Sequence, residues 1–69
     1  MKQIINRYPN GSIEQKYYVN DRGHYRGLYI AYWGNGNIYC KRNYVNGEKY
    51  GLHSNHHFDG KLIKYKYYL

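Results

Sequence analysis

Acidic residues are scarce in this chain: four Asp and Glu stand against eleven Lys and Arg, a formal charge of +7 over 69 residues. Asp21, Glu48 and Asp59 fall in or beside turn-forming segments and Glu14 in a strand-forming one, so no two make the matched pair that acid–base catalysis requires. Ser12 and Ser54 lack the setting of a strained nucleophile turn. The eight glycines stand at turns and strand ends, not in a phosphate-cradling loop. No enzyme is expected. Cysteine occurs once, at Cys40, so no disulfide forms within one chain, and a reducing, cytoplasmic setting is the expectation. No apolar run is long enough for a transmembrane segment, and Met1 to Tyr8 carries Lys2 and Arg7 without the apolar run of a signal peptide. Asn10-Gly11-Ser12 therefore reads as a turn and not a glycosylation site. Apolar spacing at 3.6 residues is missing, which excludes an amphipathic helix and weakens a membrane-surface role.

Tyrosine is abundant: twelve residues, against one phenylalanine and one tryptophan. Turn dipeptides recur at Asn10-Gly11, Asn35-Gly36 and Asp59-Gly60, their glycines 25 and then 24 residues apart. Two residues past each glycine stands Ile13, Ile38 or Leu62. Tyr18-Val19-Asn20 returns as Tyr44-Val45-Asn46, and Tyr25-Arg26-Gly27-Leu28 echoes in Tyr50-Gly51-Leu52. A ring precedes each turn, at Tyr8, Tyr32-Trp33 and His57-Phe58. About two and a half copies of one hairpin unit account for this period. Asn-Gly and Asp-Gly between β-prone runs predict type I′ turns, in which both central residues take positive φ. Asn46-Gly47 adds another, and Asn20-Asp21-Arg22-Gly23 a longer connection. Strands are predicted near 2–8, 12–19, 25–33, 37–45, 50–58 and 61–68. The fold class is all-β: one domain over 1–69, a single-layer antiparallel meander of about six strands.

Gly27-Leu28-Tyr29-x-x-Tyr32-Trp33-Gly34-Asn35-Gly36-Asn37-Ile38, followed by Tyr44-Val45-Asn46-Gly47, resembles the MORN repeat. It is most similar to the variant type of small bacterial, phage and viral proteins, some of them described as antitoxins. The same frame returns at Gly51-Leu52-His53 through Phe58-Asp59-Gly60-Lys61-Leu62, and covers Tyr8-Pro9-Asn10-Gly11-Ser12-Ile13. It departs where His53 and His56-His57 stand in places usually held by Tyr or Trp. The resemblance implies the hairpin array and a role in scaffolding, contact with anionic lipid or antitoxin-like protein binding. A small basic module of this type suits a phage or viral anti-defence protein that sequesters a nucleotide signal in the host cytoplasm.

The histidines hold too few partners for a zinc site, which wants four ligands; no metal or cofactor is expected. The charge points to an anionic partner. Lys16-Tyr17-Tyr18, Lys41-Arg42-Asn43-Tyr44 and Lys64-Tyr65-Lys66-Tyr67-Tyr68 interleave cations with rings, as surfaces that stack nucleobases and pair with phosphates do. The candidate ligand-binding residues are Tyr29, Trp33, Tyr39, Lys41, Arg26 and Arg42. Strand alternation puts Lys41 with Tyr39, and across the ladder with Tyr29 and Trp33, and puts Arg26 and Arg42 on the opposite face. That opposite face, with Leu28, Ile30, Ile38 and Cys40, is the expected core. The first functional reading is a non-enzymatic binder of a nucleotide or nucleic acid. The second is a protein-interaction module using a sheet face or edge strand. Self-association is expected, a dimer first, because an open repeat array wants caps or partners.

Overall fold

The computed structural model describes all 69 residues and contains strands and turns only. Seven strands form: β1 (Lys2–Arg7), β2 (Ile13–Val19), β3 (Gly27–Tyr32), β4 (Ile38–Val45), β5 (Glu48–Lys49), β6 (Gly51–His56) and β7 (Leu62–Tyr68). Their order in the single sheet is β1-β2-β3-β4-β6-β7, with β5 paired to β4, and every pairing is antiparallel. The meander is as expected. The seventh strand, β5, is the two-residue return of the Asn46-Gly47 turn, split from β6 at Tyr50. No helix is long and apolar enough to cross a membrane.

The repeat is visible in the backbone. Positive φ recurs at Gly11, Gly36 and Gly60 (92°, 92° and 93°), at Gly23 and Gly47 (81° and 84°), and at Gly27 and Gly51 (76° and 73°). The Gly11, Gly36 and Gly60 amides donate to the carbonyls of Tyr8, Trp33 and His57 at 2.9, 3.0 and 2.8 Å. These three turns are not the expected type I′. Asn10, Asn35 and Asp59 keep ordinary φ and only the glycine is left-handed, which makes each a type I turn closed by a glycine bulge. The cause is the side chain: Oδ1 of Asn10, Asn35 and Asp59 accepts the amide two residues on, at 2.9, 2.9 and 3.0 Å. Asn46-Gly47, with φ of 50° and 84°, is the one connection with two positive-φ central residues.

The sheet measures 32 × 28 × 9 Å, one layer thick. Its radius of gyration, 12.5 Å, exceeds the roughly 11 Å of a globule this long. Only Ala31, Cys40, His53 and Ser54 are buried. Packing comes instead from rings that meet along one face, mostly edge-on or tilted to one another. Tyr17, Tyr29, Tyr25 and Tyr44 form a cluster with neighbouring centroids 5.0 to 5.7 Å apart. His53 extends it, 5.7 Å from Tyr44 and 4.6 Å from Tyr68. Contacts of this kind add about 0.5–1.5 kcal/mol each beyond the area they bury. The expected core is thereby corrected. Leu28 is 43 % exposed and Ile30 and Ile38 are half-buried, whereas Cys40 belongs to the face of Tyr29.

Candidate anion-binding face

Register decides which candidate residues meet. β3 and β4 pair Tyr29 with Arg42, Ala31 with Cys40 and Ile30 with Lys41. Directly opposed residues share a face, so Tyr29, Ala31, Cys40 and Arg42 lie together and Lys41 lies on the other side with Ile30 and Leu28. The expectation that Lys41 joins Tyr29 while Arg42 faces away is reversed. The reason is a bulge: after Ala31↔Cys40 the next pair is Tyr32↔Ile38, which leaves Tyr39 as an extra residue. Strict alternation fails at that point. The bulge brings Tyr39 to the Tyr29 face after all, where its ring lies 4.5 Å from Trp33, tilted 49° to it. Equivalent bulges leave Glu14 and Ile63 as extra residues in the flanking repeats.

Tyr29, Trp33, Tyr39 and Arg42 line one groove of about 360 Å³, together with Tyr8, Tyr25, Tyr44 and the carboxylate of Glu14. Arg26 and Lys41 do not reach it; both are exposed. The groove is rigidly built. Tyr8 donates its hydroxyl to the Tyr32 carbonyl at 2.6 Å, and Trp33 donates Nε1–H to the His56 carbonyl at 3.2 Å, the same staple one repeat on. Gln15 Nε2 donates to the Tyr29 hydroxyl at 2.9 Å. Burial pushes the Tyr29 phenol pKa above its ordinary value, with nearby Cys40 and Tyr25 adding to the effect. Arg42 is held still more firmly protonated, chiefly by hydrogen bonding to Cys40 and against its partial burial.

A second cleft, of about 420 Å³, adjoins the first and shares Arg42 with it. It is lined by Lys49, Lys64 and Lys66 and contains no carboxylate. His53 forms its wall. The Asn43 carbonyl accepts from His53 Nε2 at 2.9 Å, which selects the Nε2–H tautomer, while Nδ1 is buried with no partner. β4 and β6 pair only at Cys40↔Asn55 and Lys41↔Ser54, and the His53 ring joins the two strands beyond those pairs through its bond to Asn43. His56 hydrogen-bonds Ser54 through Nε2, at 3.1 Å. Sequence reasoning flagged Lys64 and Lys66 only as part of an interleaved run and passed over Lys49. The signal for His53 was its offset of 24 from Tyr29, which marks it as the same repeat position.

Comparison of the chain with protein-family models, with curated proteins and with solved structures finds no match.

Proposed function

We propose that this chain is a non-enzymatic binding module that holds an anionic ligand, a nucleotide or nucleic acid, on its tyrosine-lined face. The observation that carries this reading is the convergence of three rings, Tyr29, Trp33 and Tyr39, with the guanidinium of Arg42 around one groove. Rings offer stacking surfaces to a base, and a planar guanidinium pairs with phosphate oxygens. A groove of this volume falls within the range of small-ligand sites. The likeness to the MORN repeat, and a setting in which a phage or viral protein sequesters a host nucleotide signal in the cytoplasm, belong to the same proposal. Titration with nucleotides and short oligonucleotides at low salt tests it: binding perturbs Trp33 fluorescence and releases or absorbs heat. Silence in both signals at millimolar nucleotide and micromolar oligonucleotide refutes it.

A second reading rests on the opposite face. There Leu28, Leu52, Tyr65 and Tyr67 are 43 %, 38 %, 64 % and 66 % exposed, the composition of a protein-contact surface. In this reading the chain is an antitoxin-like or scaffolding module that takes up a host protein or a second copy of itself through that face or the open edges β1 and β7. Salt separates the two, since phosphate binding weakens steeply with ionic strength. Sedimentation tests self-association, and a strict 8.4 kDa monomer at high micromolar concentration removes it.

A further inference from the structure

The cleft beside the aromatic groove concentrates positive charge that the protein leaves unbalanced. Arg42, Lys49, Lys64 and Lys66 line it without a carboxylate. Lys49 and Lys66 place their ammonium groups 5.3 and 5.0 Å from the centroid of one ring, Tyr68. Cation–π attraction accounts for each separately, but two like charges held over one ring repel each other. These features describe a site completed by an anion.

The cleft is also aligned with the groove. Register pairs Tyr29 with Arg42 and His53 with Lys66, and the Cys40↔Asn55 and Lys41↔Ser54 pairs bring β4 alongside β6. Tyr29, Arg42, His53 and Lys66 thus form a row across four adjacent strands, and at about 4.8 Å per strand the row spans roughly 14 Å. Lys64 and Lys66 are two residues apart on β7, so they point to the same side about 7 Å apart. The cations lie at one end of this row only. At the groove, Glu14 repels phosphate. A running nucleic-acid backbone calls for a cationic groove that continues along it past the bases, so cations gathered at one end favour a compact ligand with its charge at one end.

Resting on the proposed reading of the groove, we infer that Arg42, Lys49, Lys64 and Lys66 form a polyphosphate subsite, and that the ligand is a nucleoside di- or triphosphate with its base in the aromatic groove.

Calorimetry and Trp33 fluorescence with ATP, AMP, tripolyphosphate and an oligothymidylate test this. Two double variants complete the design. Lys64→Gln/Lys66→Gln removes two charges from the cleft. Lys16→Gln/Lys41→Gln removes two from the opposite face, where both pair across the ladder with Ile30. All four lysines lie on the surface or are half-buried, and circular dichroism confirms that both variants fold. The expected result is ATP binding about tenfold or more tighter than AMP, tripolyphosphate competing with ATP, and the ATP advantage lost in the cleft variant alone. Equal affinity for ATP and AMP, an equal loss in both double variants, or binding of the oligothymidylate alone overturns the subsite. If AMP and ATP bind equally and both perturb Trp33, the subsite falls and the groove stands. If no probe gives heat or a fluorescence change, the groove reading falls and takes the subsite with it.

Discussion

The groove and the cleft are the same piece of backbone used twice. Tyr29, Ala31, Cys40, Arg42 and Tyr44 stand 24 residues before His53, Asn55, Lys64, Lys66 and Tyr68, and the paired registers match: Tyr29↔Arg42 beside His53↔Lys66, Ala31↔Cys40 beside Asn55↔Lys64. In the first copy the positions hold two small apolar residues, two tyrosine rings and one cation, and Ala31 and Cys40 are buried. In the second they hold an amide, an imidazole, two lysines and one tyrosine ring, and Lys64 and Lys66 are exposed. The hairpin frame tolerates both sets because its shape comes from glycine φ angles and turn hydrogen bonds, not from a filled interior. Position in the sheet decides which set is tolerated where. β4 has neighbours on both sides, so Cys40 is covered, whereas β7 is an edge, where lysines keep their water and discourage unwanted strand pairing.

Exchanging residues between equivalent places breaks this comparison most severely. Cys40→Lys puts the third copy's lysine into a site only 2 % exposed, beside the guanidinium of Arg42. An uncompensated buried charge costs about 3–5 kcal/mol, and a domain of this length holds only about 3–10 kcal/mol in all. The expected outcome is a chain that is largely unfolded by circular dichroism at room temperature. Lys64→Ala, at the matching edge position, changes stability by no more than about 0.5 kcal/mol. Similar thermal midpoints for the two variants would show that the copies do not differ in burial.

Gly36→Val comes next. Gly36 sits at φ 92° with open space where a side chain would go, so the obstacle is the backbone and not a clash. A β-branched residue there is a conformational outlier, and the strain costs about 1–3 kcal/mol. Gly60→Val should lose a similar amount, because Gly60 has the same φ within a degree and the same turn bond to the ring residue before it. A large difference between the two midpoints, measured by thermal denaturation, would mean that the turns are not equivalent in energy even though they are equivalent in shape.

How far the sequence revealed all this follows from the same residues. The period, the strands and the meander were legible because glycine at positive φ leaves a fixed mark at Gly11, Gly36 and Gly60. The turn type was not, because it depends on whether Asn10, Asn35 and Asp59 use their side chains on the backbone. Face assignment failed at Tyr39, where one extra residue shifts the parity of the rest of β4 relative to β3 and sends Lys41 away from Tyr29. The core was misplaced because a single layer offers no interior for apolar residues to mark. Its few buried residues include Ala31, Cys40 and Ser54, and tyrosines stand on both faces. Of the candidate site, Tyr29, Trp33, Tyr39 and Arg42 meet, and the cationic cleft beside them was visible only as alternating Lys and Tyr.

The smallest expected effect separates the two copies by pH. The Tyr29 phenol has its pKa raised, first by burial and then by neighbouring Cys40 and Tyr25. The folded chain therefore holds that proton more tightly than the unfolded chain does. The sign follows: Tyr29's contribution is fully present below the ordinary tyrosine range and is lost as pH rises through the raised value. Tyr29→Phe removes this titration. At neutral pH the variant starts lower, because the hydrogen bond from Gln15 Nε2 is gone, a loss of about 1 kcal/mol. As pH climbs into the alkaline range the wild-type midpoint should fall faster, and the gap between the two should narrow. All other tyrosines are common to both chains and cancel in the difference. Tyr65→Phe, at a ring 64 % exposed, controls for the loss of a tyrosine hydroxyl outside the groove. His53, the equivalent of Tyr29 in the next copy, carries no phenol, so the alkaline effect belongs to the groove and not the cleft. Parallel curves for wild type and Tyr29→Phe would remove the buried phenol from the account of how the groove is held.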